Sequence, residues 1–232
     1  MNRTDLFIDK YKQLESAVRT AYNLDERDSV SYYLTRKSEF CKYKEDIRYC
    51  QDVRNLLSHR KKINGAYAVE PSEEMITFIS DLINKVRNRP LCREIWIEYK
   101  NIFWQPFDGK VKETVITMRK RQYTQVPIIE KGIVKGVFDE ISLFNYLASS
   151  ESNYISDDLI FKDIGQFLQL DDSNEQQTVF FASEGFVDEL EDIFEKAFRC
   201  GKRIGMAFIT ANGRPDEKLL GIITPWDIIA VE

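Results

Sequence analysis

Apolar residues in the first 90 positions of the chain recur at intervals of three and four, which is the spacing of one face of an α-helix. The pattern predicts four helices, over residues 5–23, 29–40 and 44–59 and from Ser72 to the residues before Pro90. The fourth has the clearest limits, because Ser72 is a good N-cap, two glutamates follow it, and a proline stops it. We therefore expect residues 1–90 to form a four-helix bundle.

Beyond Pro90 the pattern changes to short strands that alternate with helices. Residues 94–104 suggest a strand or a linker segment. A helix, two strands and a helix are then predicted over residues 110–121, 126–129, 133–138 and 141–147. A strand, a helix, two strands and a helix follow over residues 178–182, 186–199, 206–210 and 219–223 and from Trp226 onward. Because the order of elements returns, we expect a duplicated α/β unit.

Two segments carry this duplication, QVPIIEKGIVKGVFDEISLF and MAFITANGRPDEKLLGIITPWDII. Both resemble the second half of a CBS domain, in which a strand ending near Pro-hydrophobic precedes a Gly-hydrophobic strand and a Thr/Ser-x-x-Asp turn into a helix. The resemblance covers about residues 93–232 and implies two repeats, 93–150 and 151–232, that pair as one Bateman module. It also implies a homodimer and a regulatory ligand such as AMP, ADP, ATP or S-adenosylmethionine. The expected fold is therefore α+β and multidomain, with a four-helix bundle before two α/β CBS repeats.

The turn at Thr224 to Asp227 is the candidate ligand site that this resemblance implies. In it, Asp227 would bond the ribose hydroxyls, Thr224 would contact a phosphate, and the strand at Ile222 and Ile223 would form a wall beside the base. A carboxylate accepts sugar hydroxyls well, and phosphate suits a helix N-terminus. The same residues also form a helix-capping arrangement that needs no ligand, with Pro225 at the first helical position. Both interpretations stay open.

The first repeat departs from this pattern. Asp139 stands where the second repeat has Thr224, and Ser142 stands where it has Asp227. Two acids, Asp139 and Glu140, would repel a phosphate at that turn. We therefore expect at most one strong nucleotide site, in the second repeat, where Lys202 and Arg203 either add positive charge for a phosphate or are ordinary surface residues.

The third predicted helix contains the sequence RNLLSH, from Arg54 to His59. It resembles the R-x4-6-H motif of HEPN domains, helical bundles of which many are metal-independent endoribonucleases and many others are inactive partners or scaffolds. The resemblance implies Arg54 and His59 as a catalytic pair, with Asn55 orienting them. Histidine supplies a base near neutral pH for attack by a 2′-hydroxyl, and arginine stabilises the phosphorane charge. The alternative is a solvated helix end with His59 facing the C-terminal dipole.

Charge is divided unevenly along the chain. Residues 1–90 contain 17 Lys and Arg against 14 Asp and Glu, whereas the remainder contains 16 against 24. The acidic C-terminal part argues against a nucleic-acid groove there, and RNA is a possible partner only of the helical part. No apolar run approaches a membrane span and the N-terminus lacks a signal-peptide core, so we expect a cytoplasmic protein without membrane contact.

Four scattered cysteines and a single histidine lack the spacing of a zinc site or a disulfide framework, so we expect no metal and reduced, mostly buried thiols.

The sequence is compatible with three functions. The first is a regulatory CBS protein that binds an adenine nucleotide or related adenosyl ligand and signals to its helical domain. The second is a nucleotide-gated, metal-independent endoribonuclease of HEPN type. The third is a ligand-free structural adaptor.

Overall fold

The computed structural model describes residues 2–59, 67, 69–149, 154–168, 170 and 178–230. The chain divides into two compact units, Met1–Arg89 and Pro90–Glu232. Among its described residues the first unit is helical, and the second combines helices with two small sheets, so the fold is mixed α+β. None of the helices described has the length and apolar composition that a membrane span requires. The predicted limit between the repeats, at residues 150 and 151, falls outside the described residues.

Within its described residues, the N-terminal unit contains four α-helices and a 3₁₀ helix, which are α1 (Arg3–Tyr22), α2 (Val30–Leu34), the 3₁₀ helix Ser38–Tyr43, α3 (Lys44–His59) and α4 (Glu73–Arg87). The predicted N-cap of α4 is confirmed, because the Ser72 hydroxyl accepts a hydrogen bond from the backbone N–H of Met75 at 3.3 Å. The core of the unit consists of the inner faces of these helices, with Phe7, Leu14, Val18, Leu34, Phe40, Ile79 and Leu82 almost fully buried.

The single helix predicted over residues 29–40 is wrong in its extent, because α2 ends at Leu34 and a separate 3₁₀ helix follows. Between them, Lys37 has an extended backbone with φ −79° and ψ 135°. Its side chain is buried, and its ammonium lies 5.1 and 5.6 Å from the ring centroids of Tyr22 and Tyr33. Aromatic faces attract a desolvated cation. The helix therefore ends before Lys37, whose side chain packs against these two rings.

The C-terminal unit begins with α5 (Cys92–Ile95), β1 (Ile97–Glu98) and a 3₁₀ helix (Tyr99–Asn101). The other elements of the first repeat follow, which are α6 (Val111–Arg121), β2 (Gln125–Glu130), β3 (Ile133–Asp139) and α7 (Glu140–Ser149). The two strands form an antiparallel hairpin around Lys131 and Gly132, whose φ angles are +53° and +83°. Two successive positive φ angles are those of the tight turn whose twist matches a β-hairpin.

The described elements of the second repeat are a 3₁₀ helix (Phe161–Phe167), β4 (Val179–Ala182), α8 (Val187–Arg199), β5 (Ala207–Thr210), β6 (Gly221–Ile223) and α9 (Pro225–Ile229). The strands form a sheet in the order β1, β6, β5, β4, in which β4 is parallel to β5 and the other pairs are antiparallel. In the first repeat, a parallel bridge between Gln105 and Ile128 takes the place of the β4–β5 pair. The described strands and helices thus occur in the same order in both repeats.

The first part of each predicted repeat contacts the strands of the other. β1 lies within the range predicted for the first repeat, 93–150, but pairs with β6 of the second. Conversely, Leu168 lies within the range predicted for the second repeat, 151–232, but accepts a hydrogen bond from the backbone N–H of Val137 in β3 of the first, at 3.2 Å. We call these two pieces, Trp96–Glu98 and Leu168, the crossing segments.

Equivalent glycines lie under the crossing segments. A Cβ placed on Gly136 would be 2.4 Å from the Leu168 carbonyl oxygen, and one on Gly221 would be 2.9 Å from the Ile97 carbonyl oxygen and 3.0 Å from the Trp96 ring. The two distances to carbonyl oxygens are shorter than real Cβ contacts, and the distance to the ring is close to their lower limit. Glycine is therefore required at both positions by the close approach of another backbone.

The two repeats have separate apolar cores and share a third. In the core of the first repeat, α6 and the strands β2 and β3 pack against Phe161, Ile164 and Leu168 of the segment before β4. In the core of the second, α8 and the strands pack against Cys92 of α5 and Ile228 of α9. The shared cluster takes residues from both repeats, namely Ile129, Val134, Met206, Phe208, Leu219 and Ile222. The repeats are thus held together by buried apolar surface as well as by the crossing segments.

The loop between β5 and β6 is organised by one carboxylate. Glu217 accepts hydrogen bonds from the side-chain and backbone nitrogens of Asn212, at 2.6 and 2.7 Å, and from the guanidinium of Arg214 at 3.0 Å. These bonds favour the ionised form, with those from Asn212 first, and they lower the pKa of Glu217 to about 2.

The four cysteines divide into two environments. Cys50 and Cys92 are buried, and burial raises the pKa of both thiols to about 12. Cys41 and Cys200 are exposed. The expectation of mostly buried thiols is therefore correct for only two of the four.

Candidate ligand site in the cleft between the repeats

A cleft of about 700 Å³ opens between the two repeats of the C-terminal unit. One side comes from α8 and from the segment that leads into β5, with Phe194, Phe198, Lys202 and Arg203. The other comes from the start of β2 and from the turn between β3 and α7, and Pro225 of α9 also lines it. The volume is within the range of small-molecule sites, and residues from corresponding parts of both repeats line it.

The aromatic part of the cleft is formed by Phe194 and Phe198, one helical turn apart on α8. Phe198 is 80% exposed, although Leu190 and Phe194, on nearly the same side of the helix, are packed into the core. A phenyl ring left in solvent beside a cleft is not explained by packing of the fold. It provides an apolar face on which a flat ring can stack.

Charges of both signs line the same cleft. Lys202 is half-buried and Arg203 is exposed, and no salt bridge to either one is present within the part of the chain that the structure describes. Asp139, Glu140 and Glu195 contribute carboxylates, of which Glu195 is paired with Arg199 along α8. The cleft can therefore hold an anionic group near its cations and hydrogen-bond donors near its carboxylates.

The turn predicted as the ligand site has its capping arrangement in place. The backbone N–H and the hydroxyl of Thr224 both donate to Oδ2 of Asp227, each at 2.7 Å. Pro225 occupies the first turn of α9, as the sequence predicts. Oδ1 of Asp227 accepts no hydrogen bond from any described residue, so one carboxylate oxygen stays open to a further donor.

The structure separates the predicted ligand residues from the cleft lining. Of the turn Thr224 to Asp227, Pro225 is the residue that lines the described cleft. Ile222 is buried in the cluster shared by the repeats, and Ile223 is fully buried in the core of the second repeat. Both isoleucines are therefore core residues of β6, the strand that leads into the turn.

The corresponding turn of the first repeat has the reverse arrangement. Oδ1 of Asp139 accepts hydrogen bonds from the backbone N–H and from the hydroxyl of Ser142, each at 2.8 Å. Both side chains are 6% exposed, so this carboxylate is fixed in place. Asp139 and Glu140 line the main cleft and also a smaller cavity of about 360 Å³ beside α6, which contains one cation, Arg119.

In the N-terminal unit, Arg54 lies in a cluster with residues of α1. Its guanidinium forms an ion pair with Glu15 at 3.0 Å, lies 5.7 Å from the ring centroid of Tyr11, and donates to Oδ1 of Asn55 at 3.3 Å. Burial, followed by the charge of Glu15, raises the pKa of Tyr11 well above its usual value. Arg54 and Asn55 are thus brought together, but the guanidinium is already bonded to a carboxylate.

His59 is the last residue of α3, and its side chain lies outside the described part of the structure. A separation of five residues corresponds to about 140° around a helix, so positions 54 and 59 are on different sides of α3. Among the residues described, no group of three or more His, Cys, Asp or Glu side chains is placed to hold a metal ion.

No family model and no curated protein matches this chain. Solved structures to which it is similar include CBS domain proteins. AcuB from Vibrio cholerae, described as an acetoin utilization protein, is 14% identical, with a TM-score of 0.47 over 62% of this chain and 90% of that one. CBSX2 in complex with AMP is 11% identical, with a TM-score of 0.43 over 61% and 94%.

The CBS domain pair of protein MJ0100 was solved in complex with 5′-methylthioadenosine and S-adenosyl-L-methionine. It is 16% identical, with a TM-score of 0.43 over 62% of this chain and 95% of that one.

Proposed function

We propose that residues 93–232 are a pair of CBS repeats, and that the cleft between them binds an adenine nucleotide or a related adenosyl ligand. The observation that carries the proposal is the cleft of about 700 Å³, where an exposed phenyl ring, two cations without ion-pair partners among the described residues, and fixed carboxylates line one cavity. These are the groups that a purine, a phosphate and a ribose require. In this proposal, ligand binding signals to the helical unit.

Each part of such a ligand has a counterpart in the cleft. The base stacks on Phe198, and the anionic group faces Lys202 and Arg203. The ribose hydroxyls donate to a carboxylate, for which Asp139 in the cleft lining is one candidate and the open Oδ1 of Asp227, two residues after Pro225 of the lining, is the other. Thr224, which precedes Pro225, would contact the anionic group from the margin of the cleft.

Calorimetric titration of the full chain tests the proposal. The panel is AMP, ADP, ATP, S-adenosylmethionine and 5′-methylthioadenosine, and the variants are Phe198→Ala and Asp227→Ala. The matched control is Tyr49→Ala, because Tyr49 is an aromatic residue that is 62% exposed on α3 of the helical unit and is not among the residues that line the cleft. We expect Phe198→Ala to weaken binding and Tyr49→Ala to leave it unchanged. Absence of binding for the whole panel would show that the protein has another function, with the ligand-free adaptor as the alternative.

A homodimer through the C-terminal unit is part of the same proposal. Apolar side chains at equivalent places on α7 and α9 are exposed, with Phe144 70%, Trp226 78% and Ile229 61%. Exposed apolar groups of this size are typical of interaction surfaces. Sedimentation velocity of the wild type and of Trp226→Lys would measure the dimer, and a monomeric wild type would contradict it.

The alternative of an endoribonuclease through Arg54, Asn55 and His59 stays a prediction. For Arg54 to stabilise a phosphorane, its ion pair with Glu15 would have to open. The test is cleavage of RNA in metal-free buffer by the wild type and by His59→Ala. Equal cleavage by both would exclude the role of the histidine, and no cleavage by either would leave the regulatory function.

A further inference from the structure

We infer that the cleft discriminates among adenosyl ligands by charge, and that it favours those with one phosphate or none over the diphosphate and the triphosphate. This inference rests on the proposed function and names Glu140 and Asp139 as the residues that set the preference. It goes beyond that function because it specifies the class of ligand.

The first observation is the balance of charge in the cleft. Lys202 and Arg203 supply two positive charges, and Asp139 and Glu140 supply two negative charges to the same cavity. Glu195 adds a third carboxylate, although Arg199 is paired with it. Two cations compensate about one phosphate group, so the charge of any further phosphate stays uncompensated beside carboxylates.

The second observation is that the carboxylate of Asp139 is fixed. Both the backbone N–H and the hydroxyl of Ser142 bond to its Oδ1, and only 6% of the side chain is exposed. It cannot rotate out of the cleft without uncapping α7, so an incoming anion meets a carboxylate that cannot move away. The neighbouring carboxylate, Glu140, lies at the first position of the same helix and is exposed.

The same carboxylates favour a ligand with donors. Ionised carboxylates accept hydrogen bonds from hydroxyl and ammonium groups strongly. A ribose diol can donate hydrogen bonds to these carboxylates, and so can the ammonium group of S-adenosylmethionine. The sulfonium of S-adenosylmethionine is attracted by their negative charge. The acidic turn of the first repeat, Asp139 and Glu140, lines the cleft between the two repeats. It therefore acts on any ligand of that cleft, and not only on a phosphate at its own helix.

The test is a set of titrations in magnesium-free buffer, where ATP carries its full charge. The ligands are AMP, ATP and the uncharged 5′-methylthioadenosine. We expect the wild type to bind AMP at least about tenfold more tightly than ATP, since closely placed like charges readily cost that factor. Arg203→Ala should lower the affinity for AMP and leave the affinity for 5′-methylthioadenosine almost unchanged.

Two charge-removing variants address the carboxylates. Glu140→Gln changes an exposed residue, and Asp139→Asn keeps an oxygen that can cap α7. Both should raise the affinity for ATP several-fold more than the affinity for AMP. The matched control is Glu113→Gln, which removes the same charge from the exposed side of α6, away from the residues that line the cleft.

The outcomes separate the two proposals. If no ligand in the panel binds, the proposed function fails and this inference fails with it. If ligands bind but ATP is held as tightly as AMP, or if Glu140→Gln and Asp139→Asn behave like Glu113→Gln, the charge preference is refuted and the proposed function stands. A lower ratio of AMP to ATP affinity in both cleft variants, with no change in the control, establishes the inference.

Discussion

Replacement of Gly136 by alanine tests the crossing of Leu168 over the first repeat. The added Cβ would be 2.4 Å from the Leu168 carbonyl oxygen and 2.9 Å from its Cβ. Ordinary contacts between such atoms begin near 3.4 Å, so the Leu168 segment must move by about 1 Å. Such a shift lengthens the hydrogen bond from Val137 to Leu168, which is 3.2 Å long in the native fold.

The cost has two parts. Forcing extra volume into a packed site typically costs about 1–3 kcal/mol. Loss of one backbone hydrogen bond adds about 0.5–1.5 kcal/mol. We therefore expect Gly136→Ala to lower the free energy of unfolding of the C-terminal unit by roughly 2–4 kcal/mol. The matched control is Gly165→Ala, because nothing lies within 4 Å of a Cβ at that position.

Urea unfolding followed by tryptophan fluorescence is the appropriate assay. All three tryptophans, Trp96, Trp104 and Trp226, belong to the C-terminal unit, so the signal reports on that unit alone. With a slope of about 2 kcal/mol per molar urea, the midpoint should fall by about 1–2 M in Gly136→Ala. A midpoint within about 0.3 M of the wild type would refute the close approach of Leu168 to Gly136.

Three further predictions concern single groups. Glu217→Gln should destabilise the protein at neutral pH and flatten its acid denaturation between pH 4.5 and about 2, because a lowered folded-state pKa gives stability that is lost as pH falls through that window; an unchanged acid limb would contradict the bonding of this carboxylate. Alkylation of the native protein, followed by mass spectrometry, should modify two thiols quickly and leave Cys50 and Cys92 unmodified until urea is added. A double-mutant cycle of Arg54→Gln and Glu15→Gln, measured by circular dichroism, should give a coupling of roughly 1 kcal/mol; additive effects would show that the ion pair contributes nothing.

The order of elements in the C-terminal unit could be predicted because the sequence pattern that specifies each element is local. Alternating apolar residues around Lys131 and Gly132 predict the hairpin, and its strands occur as expected. The reason for glycine at positions 136 and 221 could not be predicted, because it depends on segments distant along the chain. The end of α2 could not be predicted for a similar reason, since Lys37 packs against tyrosines that the local sequence pattern does not identify.

The candidate site was predicted only in part. The sequence identifies Lys202 and Arg203 as possible cations, and both line the cleft. It does not identify Phe194 and Phe198, because aromatic residues at helical spacing are usually core residues. The signal that could have found Phe198 is its position in the last turn of α8, about 80° around the helix from Leu190, where an exposed helix end would ordinarily be polar.

The crossing segments have a consequence for how such a chain can evolve. The sheet of the second half is completed by β1, from the start of the first half, and β3 of the first half bonds to Leu168, from the start of the second. We therefore expect that neither half could be lost, exchanged or inherited separately without loss of these contacts. Substitutions at position 136 are constrained by the linker between the halves, and substitutions at 221 by the segment that follows the helical unit. Selection must act on the two halves together.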